Sequence, residues 1–316
     1  MHWRAASARF LGVSKHARRN ITRAFPELSG IEIGRIVAGM WDNLGRVAAE
    51  YPHLRKICVF EAGGRIETHG FEHVDRAVAT GRRMIGHIAN WEIAMLAGIQ
   101  HRISVAQIYR AGNNPLLDRM ITRFRGDEGE LIPKGRIAAR RAIAALRRGT
   151  HLTLLADQKT NDGIPVPFFG RPAMTAPALA VLALRCDCDV LPAPVERLDG
   201  ARFRLTVFPP LPVTRSGDFH ADTAALMTRV NATLEEWIRD RPEQWLWVHR
   251  RCRISRLSAS SIGKRTSAPT SCRSERGAFA YQGVLWVLSN PFRPCRPAAS
   301  PVHPWARVCR QSLPRW

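Results

Sequence analysis

The chain has 316 residues, of which 45% are hydrophobic and 23% are charged. This composition is that of an ordinary globular protein, and it excludes a fibrous or wholly disordered chain. The formal net charge of +22 favours a polyanionic partner, either a nucleic acid, an anionic bilayer or an acidic protein. Residues 254–316 hold ten basic residues and one acidic residue, so this segment contributes +9 of that charge.

The charge alone does not favour a nucleic-acid partner. The sequence has no finger spacing of cysteine and histidine, no glycine–aromatic motif of an RNA-binding sheet and no leucine zipper. Its arginines are spread along the chain and do not form one basic arm. We therefore expect a membrane or an acidic carrier protein as partner, and no nucleic acid.

Cysteine usage indicates a reducing compartment. The seven cysteines are an odd number without the spacing of a disulfide framework. Cys186 and Cys188 form a CxC pair without a second pair of ligands, so we predict no metal site.

The N-terminal residues 1–23 alternate basic and apolar residues but lack the apolar block of a signal peptide. They predict a basic amphipathic segment that either lies on a membrane or forms a solvated helix. No run of 18 apolar residues follows, which predicts that the chain has no transmembrane helix.

Helical and strand-like patterns then alternate along the chain, which predicts an α/β fold with a largely parallel or mixed central sheet flanked by helices. Helical periodicity occurs near residues 30–60, 72–80, 91–100, 115–125, 136–148, 176–185 and 220–240. Strand-like runs cover 83–88, 103–109, 150–156, 189–197 and 202–208. From residue 254 onward serine, arginine and proline dominate, which predicts a disordered, low-complexity basic tail over 254–316.

Polar residues fall at the ends of three predicted strands. His87 lies at the end of the first, Tyr109 and Arg110 at the second, and Asp157 and Gln158 at the third. Ligands of parallel α/β sheets bind at the carboxyl ends of the strands. The sequence therefore predicts one cleft where these three strand ends converge.

His87 and Glu92 are the candidate catalytic pair. A histidine at the end of a strand and a carboxylate in the first turn of the next helix have the spacing of a general base and the acid that orients it. Gly86 would let the backbone approach a ligand closely. Such spacing also arises by chance or makes a surface hydrogen bond, so that alternative stays open.

Several segments together resemble the bacterial lipid A biosynthesis acyltransferases, which transfer lauroyl and myristoyl groups and belong to a lysophospholipid acyltransferase-like superfamily. The similarity covers about residues 17–252 and predicts an acyltransferase domain over 1–253 with a glycerolipid-acyltransferase-like fold. The segments that carry it are ITRAFPEL (21–28), MWDNLGRVAAEYPHL (40–54), GHIANWE (86–92), IYRAGNNPLLDRMI (108–121), the run from 157 to 183 and EEWIRDRPEQWLWVHRR (235–251).

The resemblance implies transfer of a fatty acyl group from acyl carrier protein to the hydroxyl of a 3-hydroxyacyl chain on a lipid A precursor. His87 would be the base and Glu92 its partner, matching the family's His-x4-Asp/Glu motif. Arg125 and Asp157 match a family arginine and acidic residue at the site, and Asn114 falls within a matching motif, so we expect all three to bind substrate. A thioester is already activated, so no metal or other cofactor is required.

The resemblance also implies a location at the cytoplasmic face of the bacterial inner membrane. Members of the family usually begin with a hydrophobic anchor helix, and this sequence begins after that point. The chain is then either a peripheral form or a truncated gene product, and for this chain we expect peripheral attachment to the inner-membrane surface.

Several alternatives stay open at this stage. The segment 173–184 could line an acyl-chain groove, with Phe168, Phe169 and Trp91 setting its depth, but a core helix would have the same sequence pattern. The acceptor could be another glycolipid, a phosphoinositide mannoside or an aminolipid. A basic membrane- or nucleic-acid-binding protein without catalysis is the alternative from a different class.

Overall fold

A computed structural model of the chain describes residues 12–88, 91–109, 129–135, 137–156 and 163–249. The predicted tail over 254–316 lies outside these residues, as does the helix predicted over 115–125.

Within the described residues, helices and strands alternate as the sequence pattern predicts. The α-helices are α1 (Gly12–Ala24), α2 (Gly30–Glu50), α3 (Glu72–Ala79), α4 (Trp91–Gln100), α5 (Ala138–Arg147), α6 (Ala178–Cys186) and α7 (Phe219–Asp240), with short 3-10 helices at Tyr51–Lys56 and Pro242–Gln244. The strands are β1 (Ile66–His69), β2 (Met84–Ile88), β3 (Val105–Tyr109), β4 (Glu130–Pro133), β5 (His151–Leu154), β6 (Ile164–Phe168), β7 (Arg171–Thr175), β8 (Asp189–Ala193), β9 (Val195–Arg197) and β10 (Phe203–Thr206).

Side-chain caps set the start of the two longest helices. Ser29 forms a capping box with Glu32 at the start of α2. Asp218 accepts hydrogen bonds from the N–H groups of His220 and Ala221 at the start of α7. Each cap satisfies backbone donors that the first helical turn leaves unpaired.

The central sheet has five strands in the order β4-β3-β5-β2-β8, and every neighbouring pair is parallel. This confirms the predicted α/β architecture. Helices α5, α6 and α7 cover one face, where they form the apolar cluster that contains Ile85, Leu152 and Leu154. Helices α3 and α4 cover the other face together with a smaller sheet, β1-β10-β9.

A third apolar cluster joins α1, α2, the end of α7 and the two-stranded hairpin β6-β7. Ala17 and Ile21 of α1 are fully buried in it, next to Met40 and Trp247. These two apolar residues of α1 therefore pack against the protein itself and are not exposed to a bilayer.

The structure differs from the sequence-based elements at several points. The predicted strand over 189–197 is divided at Pro194 into β8 and β9, which pair in different sheets. Pro194 has no N–H to donate to a ladder, and the chain passes from one sheet to the other at this residue. Four short strands, β1, β4, β6 and β7, were not predicted. The hairpin β6-β7 contains several prolines, which are untypical of strands.

Candidate active site

The candidate site begins at the end of β2, in the middle of the parallel sheet. His87 is the next-to-last residue of β2 and pairs in register with Leu154 of β5 on one side and Pro192 of β8 on the other. Leu154 in turn pairs with Ile108 of β3. The three strands whose ends carry the predicted polar residues are therefore adjacent and parallel, and their carboxyl ends share one edge.

Glu92 comes five residues after His87 in the sequence, just beyond the carboxyl end of β2. It is the second residue of α4, which begins at Trp91 after the two-residue connection 89–90. The described backbone therefore has the predicted strand-to-helix arrangement around the His-x4-Glu motif. The connection and the side chains of His87 and Glu92 lie outside the described structure, so their pairing stays a prediction.

The predicted substrate-binding residues Asn114, Arg125 and Asp157 also lie outside the described residues. Asp157 directly follows Ala156, which is 2% exposed and lies two residues beyond the end of β5.

Tyr109 and Lys134 lie at the same edge of the sheet, two and three strands away from β2. Tyr109 ends β3, and its carbonyl accepts a hydrogen bond of 2.8 Å from the N–H of Lys134, the residue after β4. The Lys134 side chain is exposed, which places one cation at the edge that carries the candidate site.

An apolar cavity lies between this sheet and α4. It has a volume of about 560 Å³, including its opening to solvent. Small residues line it on both sides: Gly86 and Ala193 from the sheet, and Ala94, Ala97 and Gly98 from α4. Gly86 directly precedes His87, and Ala94 lies two residues after Glu92. The strand β2 and the helix α4, which carry the candidate pair, therefore also line the cavity.

Sequence reasoning missed this cavity. The signal was the set of small residues at positions 94, 97 and 98, which share one face of a helix because they are three and four residues apart. Without the structure, that pattern is equally typical of close helix packing.

Comparison with known proteins identifies the family. The sequence profile described as "Bacterial lipid A biosynthesis acyltransferase" matches residues 3–253. The chain belongs to this family. It is therefore an acyltransferase of lipid A biosynthesis.

Three relatives illustrate the similarity to this family. The chain is 28% identical over 252 residues to the lipid A biosynthesis lauroyltransferase of Escherichia coli (strain K12), covering 75% of this chain and 78% of the relative. It is 27% identical over 258 residues to the lipid A biosynthesis myristoyltransferase of the same strain (77% and 78% covered). It is 26% identical over 248 residues to a lipid A biosynthesis acyltransferase of Haemophilus influenzae (74% and 76% covered).

Most of the segment 173–184, for which an acyl groove and a core helix were the two alternatives, belongs to the core helix α6 in this acyltransferase. Leu179, Ala180 and Ala183 of α6 are at most 1% exposed and pack in the cluster with Ile85. The described apolar cavity lies on the opposite face of the sheet, so α6 does not line it.

The CxC pair is also part of the core. Cys186 and Cys188 are buried at the turn between α6 and β8. Burial raises the pKa of the Cys188 thiol to about 12. This thiol therefore stays protonated and unreactive at neutral pH.

None of the helices described in the structure is both long enough and apolar enough to cross a bilayer.

Proposed function

We propose that this acyltransferase moves a fatty acyl group from acyl carrier protein to the free hydroxyl of a 3-hydroxyacyl chain on a lipid A precursor. His87 is the general base, and Glu92 orients its ring. The observation that carries the proposal is that β2 and α4, which bear these two residues, also line the apolar cavity through Gly86 and Ala94. A reacting centre and a space for a hydrocarbon chain are thus built from the same two elements.

The chemistry needs few protein groups. His87 takes the proton of the acceptor hydroxyl while the hydroxyl oxygen attacks the thioester carbon. The C–S bond then breaks, and the proton passes to the departing thiol. Glu92 holds the ring in the tautomer that accepts the proton and stabilises the imidazolium. Such acid–base assistance contributes a factor of about 10² to 10⁴ in rate.

The remaining predicted residues act on the substrates. Arg125 stabilises the oxyanion or holds a phosphate of the lipid A precursor, and Asp157 binds substrate hydroxyls or positions Arg125. Asn114 lies in a matching motif and contacts substrate. One hydrogen-bond donor to the oxyanion increases the rate of the reaction by a factor of about 10² to 10³.

The apolar cavity receives the acyl chain of the donor. Glycine and alanine leave an open slot where larger side chains would fill the space between α4 and the sheet. A saturated chain gains about 0.8 kcal/mol for each methylene group that it buries. The depth of the slot therefore sets which chain length is preferred.

The basic charge of the chain suits these partners. Acyl carrier protein is acidic, the lipid A precursor carries phosphates, and the cytoplasmic leaflet of the inner membrane is anionic. Each basic residue near such a leaflet adds about 1 kcal/mol of attraction. We propose that the enzyme works at that surface.

The test uses the full chain with acyl carrier protein thioester and a lipid A precursor, and it identifies the product lipid by mass spectrometry. The unmodified protein should acylate the precursor, and His87→Ala should lower kcat by at least about a hundredfold, the lower range for a positioned base. Glu92→Gln should lower it less, because a neutral amide can still hold the ring. His53→Ala, which removes an exposed histidine, is the control and should keep full activity.

Two outcomes contradict the proposal. Transfer to another glycolipid, a phosphoinositide mannoside or an aminolipid, but not to the lipid A precursor, would keep the reaction and change the acceptor. Tight DNA or vesicle binding without transfer to any lipid would favour the non-catalytic alternative.

A further inference from the structure

A second cleft lies where the hairpin β6-β7 meets α1 and the segment after α7. It has a volume of about 540 Å³ including its opening to solvent. Four aromatic residues line it: Phe168, Phe169, Trp245 and Trp247. Ring centroids are 4.9 Å apart for Phe168 and Phe169, and 6.0 Å apart for Phe169 and Trp247. We call it the aromatic cleft.

The rim of the aromatic cleft is cationic. Arg23 of α1 and Arg171 of β7 line it and are exposed. The guanidinium of Arg239 lies 4.9 Å from the ring centre of Phe169. Among the described residues that line the cleft, none is acidic. An apolar floor under a cationic rim matches an amphiphile with an anionic head group.

Phe169 is held at the cleft in an unusual conformation. It occupies the two-residue turn of the hairpin with Gly170, and both have positive φ, 48° and 67°. Such turns prefer asparagine or glycine at the position of Phe169, because an aromatic residue is strained there. The Phe169 N–H donates a 2.7 Å hydrogen bond to Glu235, which helps to hold the turn. Phe169 thus keeps a strained backbone conformation at the position where its ring lines the aromatic cleft.

The aromatic cleft lies toward the end of the molecule that carries the candidate active site. Helix α7 starts near the amino end of β8, where Arg185 lies 5.0 Å from the ring centre of Phe219. This helix of 22 residues ends near the cleft. Gln244, next to Trp245, bonds to the N–H of Arg197 in β9, beyond the carboxyl end of β8.

We propose that the aromatic cleft binds an anionic phospholipid of the bilayer. Arg23 and Arg171 contact the phosphate, and the aromatic floor contacts the glycerol and the first acyl carbons. The partly exposed Trp245 suits this depth, because a tryptophan ring is apolar while its N–H can stay hydrated. The N–H of the buried Trp247 instead donates to the carbonyl of Pro242. The inference concerns attachment to a membrane, so it does not depend on which acceptor the active site uses.

The test measures binding of the full chain to vesicles of phosphatidylcholine with and without phosphatidylglycerol. The double variant Arg23→Gln/Arg171→Gln should weaken partitioning to the anionic vesicles by about 30-fold, given the attraction that two cations contribute at an anionic surface. The control pair Arg76→Gln/Arg140→Gln removes the same charge from exposed arginines of α3 and α5 and should change binding by less than about threefold. Equal losses for both pairs would overturn the proposal, because the attraction would then come from net charge alone.

A second pair of variants tests the apolar floor without changing charge. Trp245→Gln should weaken binding to the anionic vesicles, whereas Trp237→Gln, whose ring stacks on Phe208 outside the cleft, should not. The proposal would be overturned if both Trp245→Gln and Arg23→Gln/Arg171→Gln bound the anionic vesicles as tightly as the unmodified protein does. That result is expected if another part of the chain fills the cleft. Thermal unfolding midpoints of all variants show whether each is folded.

Discussion

Gly86 of β2 and Ala94 of α4 line one apolar cavity, and each lies within two residues of a member of the candidate catalytic pair. Filling this cavity should shorten the acyl chain that the enzyme accepts. Ala94→Leu adds three carbons to the wall of the slot, so the preferred donor should become shorter by a few carbons, with about a tenfold loss for the original chain, equivalent to one or two methylene groups no longer buried.

The measurement is the mass of the product lipid from a mixture of donors of different chain length. Ala224→Leu, which makes the same change on an exposed position of α7, should leave the distribution of products unchanged. If Ala94→Leu also left the distribution unchanged in a folded protein, the acyl chain would not enter this cavity.

Arg197 and Glu50 form the most buried ion pair among the described residues, with side chains 9% and 18% exposed. Arg197 binds both oxygens of Glu50 and also donates to Asn43 at 2.9 Å, so β9 is tied to α2. Removing one charge leaves the other buried without a partner, so Arg197→Met should lower the free energy of unfolding by roughly 3 kcal/mol.

Denaturant unfolding of a double-mutant cycle checks this prediction. Arg197→Met combined with Glu50→Leu should recover much of the loss, because no unpaired charge remains. Additive losses in the double variant would mean that the two side chains do not stabilise each other.

His151 makes stability depend on pH. It lies in β5 and lines the apolar cavity, and its Nδ1 accepts a hydrogen bond of 3.1 Å from the N–H of Met84. Burial, and then the nearby charge of Arg83, lower the pKa of His151 from 6.5 to about 4. His151 therefore binds a proton more readily in the unfolded chain than in the folded protein. The stability that the neutral His151 contributes is complete above pH 6.5 and is lost as the pH falls toward 4.

Between pH 7 and pH 4.5 the unmodified protein should lose about 2 kcal/mol more stability than His151→Gln. Urea unfolding at both pH values measures the difference. An equal loss in the two proteins would show that His151 is protonated as easily in the folded state as in the unfolded chain.

Gly70 has a backbone that only glycine fits. Its φ is +74°, and an added Cβ would lie 1.9 Å from the carbonyl oxygen of Val207. Gly70→Ala should therefore destabilise the protein by on the order of 3 kcal/mol. Gly63 has nearly the same φ, +70°, but open space around it, so Gly63→Ala should cost only about 1 kcal/mol. Equal costs in thermal unfolding would contradict the steric argument.

The alternation of helices and strands was predictable because it depends on local residue patterns. The runs that became β2, β3 and β5 are apolar and end in polar residues, and the sheet places these strands side by side as the parallel arrangement requires. The break at Pro194 did not follow from the missing N–H alone, because Pro192 also lacks one and lies within β8. Of the four unpredicted strands, β1 depends on a partner distant in the chain, β10. The strands β6 and β7 pair with each other across a two-residue turn, but their prolines are untypical of strands.

The sequence by itself determined the family, the fold class and the His-x4-Glu motif, because each depends on residue identity and spacing along the chain. Only the tertiary structure decided that Gly86 and Ala94 border a cavity, that α6 is core, and that Ala17 and Ile21 of α1 are covered by protein. The physical reason is that cavities and buried faces arise from the packing of segments far apart in sequence. A row of small or apolar residues looks the same whether it meets a neighbouring helix or an open space.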